Sequence, residues 1–313
     1  MRINCEILDL RAFLAVLDSG GFEKAAHRLN MSQPTISRRI RLLEQALNAI
    51  LFERSTRKVS LSRIGSQFEP LARRIVHDFE SSIASLSISG NADSGLVRVA
   101  AIPTAACRFL PRVIEKFARD YPGVRVRILD LPGPAALECV ASGEADFGIN
   151  FLGATQKDLR FTPLIDDPFV LACHVDHSIA KQQRIKWSDL RELSLIISQA
   201  SGNRALIDHA LSRSNLQLNW MFEASHLSTS FGIVEAGVAM AVVPRLSVPL
   251  NSHPLIASVL LECPRITRTI GLVERINARL TTASCAFREL LRAEASSFDG
   301  ISQYPRSDTS IVL

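Results

Sequence analysis

The stretch from Ser32 to Leu47, SQPTISRRIRLLEQAL, restricts the fold more than any other part of this chain. Ser32 suits a helix N-cap, because its hydroxyl can accept an unsatisfied N–H of the first turn. Pro34 falls in that turn, where a missing N–H does no harm. Ile36, Ile40, Leu43 and Leu47 recur at spacings of four, three and four, which aligns them on one helical face. At about 100° per residue, Pro34, Arg38, Arg41 and Gln45 lie on the opposite face. The residues before this helix supply something for its apolar face to pack on. Leu8, Leu10, Phe13, Leu14 and Leu17 form a helical stripe closed by Ser19-Gly20-Gly21. Phe22 to Leu29 is a second short helix, whose small pair Ala25-Ala26 permits close approach, and Asn30-Met31 turns the chain. Helix, short turn and a helix with a basic outer face make a helix-turn-helix, and an α-helix fits the major groove of B-DNA.

The residues after this helix strengthen that reading. In LFERSTRKVSLSRIG, residues 51–65, Lys58-Val59-Ser60-Leu61 alternates as a short strand does, and Arg54, Arg57 and Lys58 sit where a hairpin would project. This is a basic wing suited to phosphate or minor-groove contact. Ser62 can cap a further helix running to about Ser87, with Phe68, Leu71, Ile75, Phe79, Ile83 and Leu86 spaced three, four, four, four and three. Such a near-heptad stripe suits pairing with a second copy; packing on its own chain is the alternative. Pro70 should kink the helix or mark its beginning.

Charge is unevenly distributed. The 313 residues carry a net +5, yet residues 1–65 hold 11 Lys/Arg against 6 Asp/Glu while the remainder balances. A polyanion-binding module joined to a neutral domain has this asymmetry. No apolar run approaches the ~18–20 residues of a membrane-spanning helix, and residues 1–10 lack a signal peptide's apolar region. A cytoplasmic protein is expected. The six cysteines, Cys5, Cys107, Cys139, Cys173, Cys263 and Cys285, form no CxxC pair and match no zinc spacing, which suggests buried free thiols. Cys173 beside His174 is the mild candidate for a reactive thiolate.

After the small-residue linker SGNADSG, residues 89–95, the pattern changes. Strands are expected at 96–102, 124–131, 146–151, 169–174, 195–198, 240–243, 256–261 and 269–273. Helices are expected at 104–119, 134–141, 203–212, 227–236 and 281–295. Alternating strands and helices imply a parallel α/β sheet. The tail after residue 297 has no periodicity and is expected to be disordered.

The N-terminal residues resemble the signature of the LysR-type transcriptional regulator family. The carriers are Phe22, Ala25-Ala26, Leu29, Ser32-Gln33-Pro34, Ser37, Ile40, Leu43-Glu44, Leu47, Leu51-Phe52, Arg54, Leu61 and Gly65, with weaker marks in SGEADFGI (142–149), DHSIA (176–180) and IVEAGVAMAVVPR (233–245). The resemblance implies an α/β protein overall. It comprises a winged helix-turn-helix (1–65), a dimerising linker helix and hinge (66–94), and a two-lobed effector domain like periplasmic binding proteins (95–297). Lobe one would be 95–164 with 267–297, lobe two 165–266, and 298–313 the tail. It also implies homodimers through the linker stripe that assemble to homotetramers, binding to dyad-symmetric promoter DNA, a small-molecule effector between the lobes, and RNA polymerase as a further partner. The chain departs from the family at Asn48, where Gly is usual, at Ser178, where Pro is usual, and in LPGPAALE (131–138), which lacks a hydroxyl residue common there.

Candidate contacts rest on residue chemistry. Gln33 can grip adenine bidentately, Arg38 and Arg41 can hold guanine or phosphate, Thr35 and Ser37 can serve either, and Pro34 offers an apolar contact. Arg54 and Arg57 belong to the wing. Arg39 is expected off the reading face. For the effector, open α/β sheets bind ligands beyond strand C-termini, near helix N-termini that favour anions. Thr104, Pro132, Gly133, Asn150 and Phe151 occupy such places in lobe one; Ser201, Asn203, Ser225, His226 and Ser228 do so in lobe two. Ordinary helix capping is the competing explanation at each. A small organic anion is the expected effector. No nucleophile elbow, phosphate loop, dinucleotide fingerprint or paired metal ligands appear, so neither an enzyme nor a cofactor is expected. A thiol-based redox signal would need a reactive pair, and the cysteine spacing suggests none.

Overall fold

In the computed structural model the described residues are 5–54, 59–87, 95–151, 157–198, 203–212, 216–248, 253–296 and 310–312. They form two compact units, residues 1–91 with 141–145 and 277–281, and the remainder.

The first unit is built on α1 (Ile7–Ser19), α2 (Phe22–Arg28) and α3 (Gln33–Leu47). α1 stops where Gly20 turns to φ +69, a left-handed cap that costs glycine little. α3 starts as expected: Ser32 Oγ accepts the N–H of Thr35 at 3.3 Å. It stops at Asn48, whose φ of 49 and ψ of 43 show Asn filling the left-handed position that suits Gly. Ile36, Ile40 and Leu43 are buried against Phe13, Ala25 and Ala26. Burial of one such large apolar side chain stabilises by about 1.5–3 kcal/mol.

The wing is the antiparallel pair β1 (Phe52–Arg54) and β2 (Val59–Leu61), with Phe52 opposite Leu61. Glu44 ties it to α3 by accepting the N–H of Leu51 at 2.8 Å and of Phe52 at 3.4 Å. Gly65 packs so closely that a Cβ there would lie 2.1 Å from the Leu51 carbonyl oxygen. These contacts give physical reasons for Glu44, Leu51 and Gly65. The long helix α4 (Arg63–Ser87) begins under the Ser62 cap, which accepts the Gly65 N–H at 2.9 Å. Pro70 lies inside α4 and does not mark its start. The stripe expected on α4 is divided. Leu71, Ile75, Phe79 and Ile83 are exposed, whereas Phe68 packs into its own module, 5.5 Å from Phe13 ring to ring. Phe68 departs from the expectation because its turn lies against α1, which covers it. The side chain of Leu86 lies outside the described residues.

The second unit opens with β3 (Gly95–Ala101), α5 (Pro103–Arg108), α6 (Leu110–Asp120), β4 (Val124–Asp130), α7 (Gly133–Ser142), β5 (Phe147–Phe151) and the 16-residue β6 (Leu159–His174). It continues with β7 (Arg184–Lys186), β8 (Leu195–Ser198), α8 (Asn203–Leu211), β9 (Trp220–Ala224), α9 (Leu227–Glu235), β10 (Met240–Pro244), β11 (Ile256–Glu262), β12 (Arg265–Arg275) and α10 (Thr282–Ser296). The helix expected over 104–119 is broken at Phe109, because Pro111 has no N–H to continue the ladder. Strand order is β4-β3-β5-β12-β6-β10-β8-β9.

The expectation of a parallel sheet holds only in two blocks. β3 runs parallel to β4 and β5, and β8 parallel to β9 and β10, but β12 is antiparallel to β5 and β6, and β6 to β10. The reason is that β6 and β12 cross between the two blocks in opposite directions, so each block receives reversed strands. One core beside β8 and β10 centres on the fully buried Trp187, with Leu171, Ile197 and Val242. The disordered tail needs correction for three residues: β13 (Ser310–Val312) adds parallel to Arg265–Thr267 of β12. Residues 298–309 and 313 lie outside the described residues. No described helix is long and apolar enough to cross a membrane.

Candidate nucleic-acid interface and interlobe site

α3 presents its polar face outward. Gln33, Pro34, Thr35, Arg38 and Arg41 are exposed and Ser37 is half-buried. Among the described residues, neither Arg38 nor Arg41 is held in an ion pair, which leaves both guanidinium groups available to an external anion. Thr35 is less free, since its hydroxyl lies 2.8 Å from Ser32 Oγ in the cap. Arg39 turns away from these residues and donates to Asp9 Oδ1 at 2.9 Å and Glu6 Oε2 at 3.3 Å. Burial pulls its guanidinium pKa down, but the bonds to Asp9 and Glu6 outweigh this and leave it above the ordinary value. The side chain of Arg54, and all of Arg57, lie outside the described residues.

In the second unit the strands position a buried polar cluster. Asp167 of β6 and Arg268 of β12 are register partners across the two crossover strands. Arg268 donates to Asp167 Oδ2 from Nε at 3.0 Å and from Nη2 at 2.8 Å, and Asp167 Oδ1 accepts the Leu246 N–H at 2.7 Å. The side chains are 2% and 0% exposed, so the pair is out of water. Sequence reasoning did not single out either residue. The available signal was the two carboxylates opening DDPFVLAC and the two arginines in RITRTIGLV, in otherwise apolar strands where burial requires a partner.

Several expected site residues converge on Arg268. Its Nη2 donates to Thr104 Oγ1 at 2.9 Å and its Nη1 to Asn203 Oδ1 at 3.1 Å. Phe151 lies beside it, with the guanidinium carbon 5.7 Å from the ring centroid. Asn150 is buried and committed locally, donating to the Gly133 carbonyl at 2.7 Å and accepting the Phe151 N–H at 2.9 Å. Gly133 packs against that Asn150 oxygen, and Pro132 is exposed. Ser225, His226 and Ser228 are exposed at the start of α9. Burial pushes the Asp130 carboxyl pKa up, and the charge of His226 partly opposes this, so the end of β4 and the start of α9 sense each other. Ser201 lies outside the described residues.

The reactive-thiol candidate is corrected. Cys173 is fully buried among apolar side chains, and burial pushes its pKa up to about 11, the reverse of an activated thiolate. Cys107 and Cys263 are exposed. Among the described residues, no group of three or more His, Cys, Asp or Glu is placed to hold a metal ion.

Comparison with known proteins accounts for both units. The family model for the bacterial regulatory helix-turn-helix protein of the lysR family matches residues 7–66, and that for the LysR substrate binding domain matches residues 90–296. The chain belongs to the LysR family.

This LysR-type regulator is 39% identical to the uncharacterized HTH-type transcriptional regulator YbhD of Escherichia coli (strain K12), over 91% of this chain and 90% of that one. It is 29% identical to the DNA-binding transcriptional dual regulator OxyR of the same strain, over 92% and 95%. Its fold is similar to a full-length OxyR variant from Pseudomonas aeruginosa, with a TM-score of 0.76 at 22% identity over 94% and 95% of the chains. It is also similar to CbnR, a LysR family transcriptional regulator, with a TM-score of 0.67 at 23% identity over 93% and 99%. The protein is therefore a LysR-type DNA-binding transcriptional regulator with an effector-binding domain, not an enzyme.

Proposed function

We propose that α3 reads promoter DNA through Gln33, Pro34, Thr35, Ser37, Arg38 and Arg41, that the wing residues Arg54 and Arg57 hold its phosphates, and that a small organic anion bound between the lobes controls the outcome. The observation that carries the DNA assignment is the division of α3. Ile36, Ile40 and Leu43 are buried and Arg39 is tied to Glu6 and Asp9, which leaves the exposed Arg38 and Arg41 for DNA. The boundaries we assign are 1–65 for the DNA module, 66–94 for linker helix and hinge, and 95–297 for the effector domain, with lobes 95–164 plus 267–297 and 165–266.

Two copies join through Leu71, Ile75, Phe79 and Ile83, an apolar row along α4 that its own module leaves exposed. Dimers pairing into a homotetramer on dyad-symmetric DNA in the cytoplasm, and contact with RNA polymerase there, complete the reading. Thr104, Phe151 and Asn203 around Arg268 support a site between the lobes for the effector. Pro132, Ser225, His226 and Ser228, exposed near these residues' helix and strand ends, are further contacts in this reading; Gly133 and Asn150 support them from below, and Ser201 stays a contact proposed from the sequence alone. Burial of Cys173 gives no support to a thiol signal at that residue, although some relatives of the chain are named hydrogen peroxide-inducible genes activators.

The test is a binding titration on the mapped promoter site. Arg38→Ala should cost about 1–3 kcal/mol and relax preference at one base pair if it reads a base. Unchanged affinity together with unchanged preference would remove Arg38 from the interface.

A further inference from the structure

Asp167 pairs with Arg268 and also feels the charge of Arg245. The next carboxylate in the strand, Asp166, accepts the Thr269 hydroxyl at 3.2 Å, and alternation along β6 puts it on the other face. Asp167 takes the Nε–Nη2 edge of Arg268 with a single oxygen. Nη1 holds a neutral oxygen, Asn203 Oδ1, and Nη2 also donates to a second, Thr104 Oγ1. Thr104 comes from lobe one and Asn203 from lobe two. A guanidinium fork matches the two oxygens of a carboxylate, and here one neutral acceptor from each lobe occupies those places. The Phe151 ring supplies an apolar wall beside the fork.

We propose that Arg268 recognises the anionic group of the effector: a carboxylate docks on Nη1 and Nη2 and replaces Asn203 Oδ1 and Thr104 Oγ1. The inference rests on the reading of a small anion between the lobes and names the residue that selects it. The present bonds have a charge on the donor alone; a carboxylate adds the opposite charge on the acceptor and the parallel fork–fork geometry, so the exchange is favoured. It also has a conformational consequence. Before binding, Arg268 bridges the lobes through Thr104 and Asn203. After binding, that bridge is given up for bonds to the ligand, with the Thr104 hydroxyl and the Asn203 amide free to donate to the same carboxylate. A ligand shifts a conformational balance only through such differential bonding.

The experiment uses the full chain as wild type, as Arg268→Lys, and as the double variant Asp167→Asn with Arg268→Gln. The double variant removes both buried charges together, so neither is left unpaired. Isothermal titration is run with a set of aliphatic and aromatic carboxylates and with the amides of the same acids. A carboxylate bound by the wild type should bind at least about tenfold more weakly to the double variant, while far-UV circular dichroism stays that of the wild type. Arg268→Lys should also weaken binding, because a point charge cannot grip with a fork. Equal carboxylate affinity in wild type and folded double variant overturns the assignment of Arg268 and leaves the interlobe anion site standing. Amides that bind the wild type as tightly as their acids overturn the anion reading, and Arg268 with it.

Discussion

Arg268 and Asp167 face each other across the two crossover strands, joined by bonds of 2.8 and 3.0 Å and almost wholly out of water. Each charge is tolerable only because of the other. Asp167→Ala strands the guanidinium in the interior and should cost about 3–5 kcal/mol, read as a lowered urea midpoint of the effector domain. A loss below about 1 kcal/mol would mean that water reaches the pair.

Arg39 should separate stability from recognition. It spans from α3 to Asp9, whose side chain is 4% exposed, and to Glu6. Arg39→Ala should lower the stability of the DNA module by about 1–3 kcal/mol while leaving base preference on the promoter site unchanged. Arg38→Ala should do the opposite. Altered base preference in the Arg39 variant would place that side chain on the DNA.

Gly65 allows no side chain. A Cβ would stand 2.1 Å from the Leu51 carbonyl oxygen, a backbone atom that cannot rotate away. Gly65→Ala should therefore displace the backbone at Leu51, just before the wing, and destabilise the module by about 1–3 kcal/mol or more. Thermal unfolding of the variant checks this, and a wild-type melting temperature would contradict it.

Ile75 is 48% exposed at the middle of the apolar row on α4. Ile75→Glu should leave the fold of its own module within about 0.5 kcal/mol. Sedimentation velocity should show the assembly shifted toward monomer. An unchanged sedimentation profile would move the dimer interface elsewhere.

Cys173 should resist thiol chemistry. With its pKa pushed up to about 11, only roughly one molecule in ten thousand carries the thiolate at pH 7. Alkylation of the native protein should reach the exposed Cys107 and Cys263 first, and the rate at Cys173 should rise with pH toward that value. Peptide mass spectrometry after timed iodoacetamide treatment reads all three.

What the sequence determined by itself is the DNA module and the class of the second domain. α3 was legible from Ser32 to Leu47 because its cap, its stripe and its basic face are local, set by neighbours within a few turns. Asn48 belongs with them, since a short polar side chain can itself support the left-handed turn. The alternation of strands and helices likewise announced an α/β unit, and Thr104 and Asn203 were marked by their places at helix starts. Only the tertiary structure decided which charges are buried and which faces are free. Arg268 and Asp167 lie 101 residues apart, and their pairing depends on two strands crossing in opposite directions. The same holds for Phe68, covered by α1, and for Leu71 and Ile75, which are not. Helical spacing shows that such residues share a face, but burial depends on what packs against that face. That is settled by residues distant in the chain, whose approach no local pattern encodes.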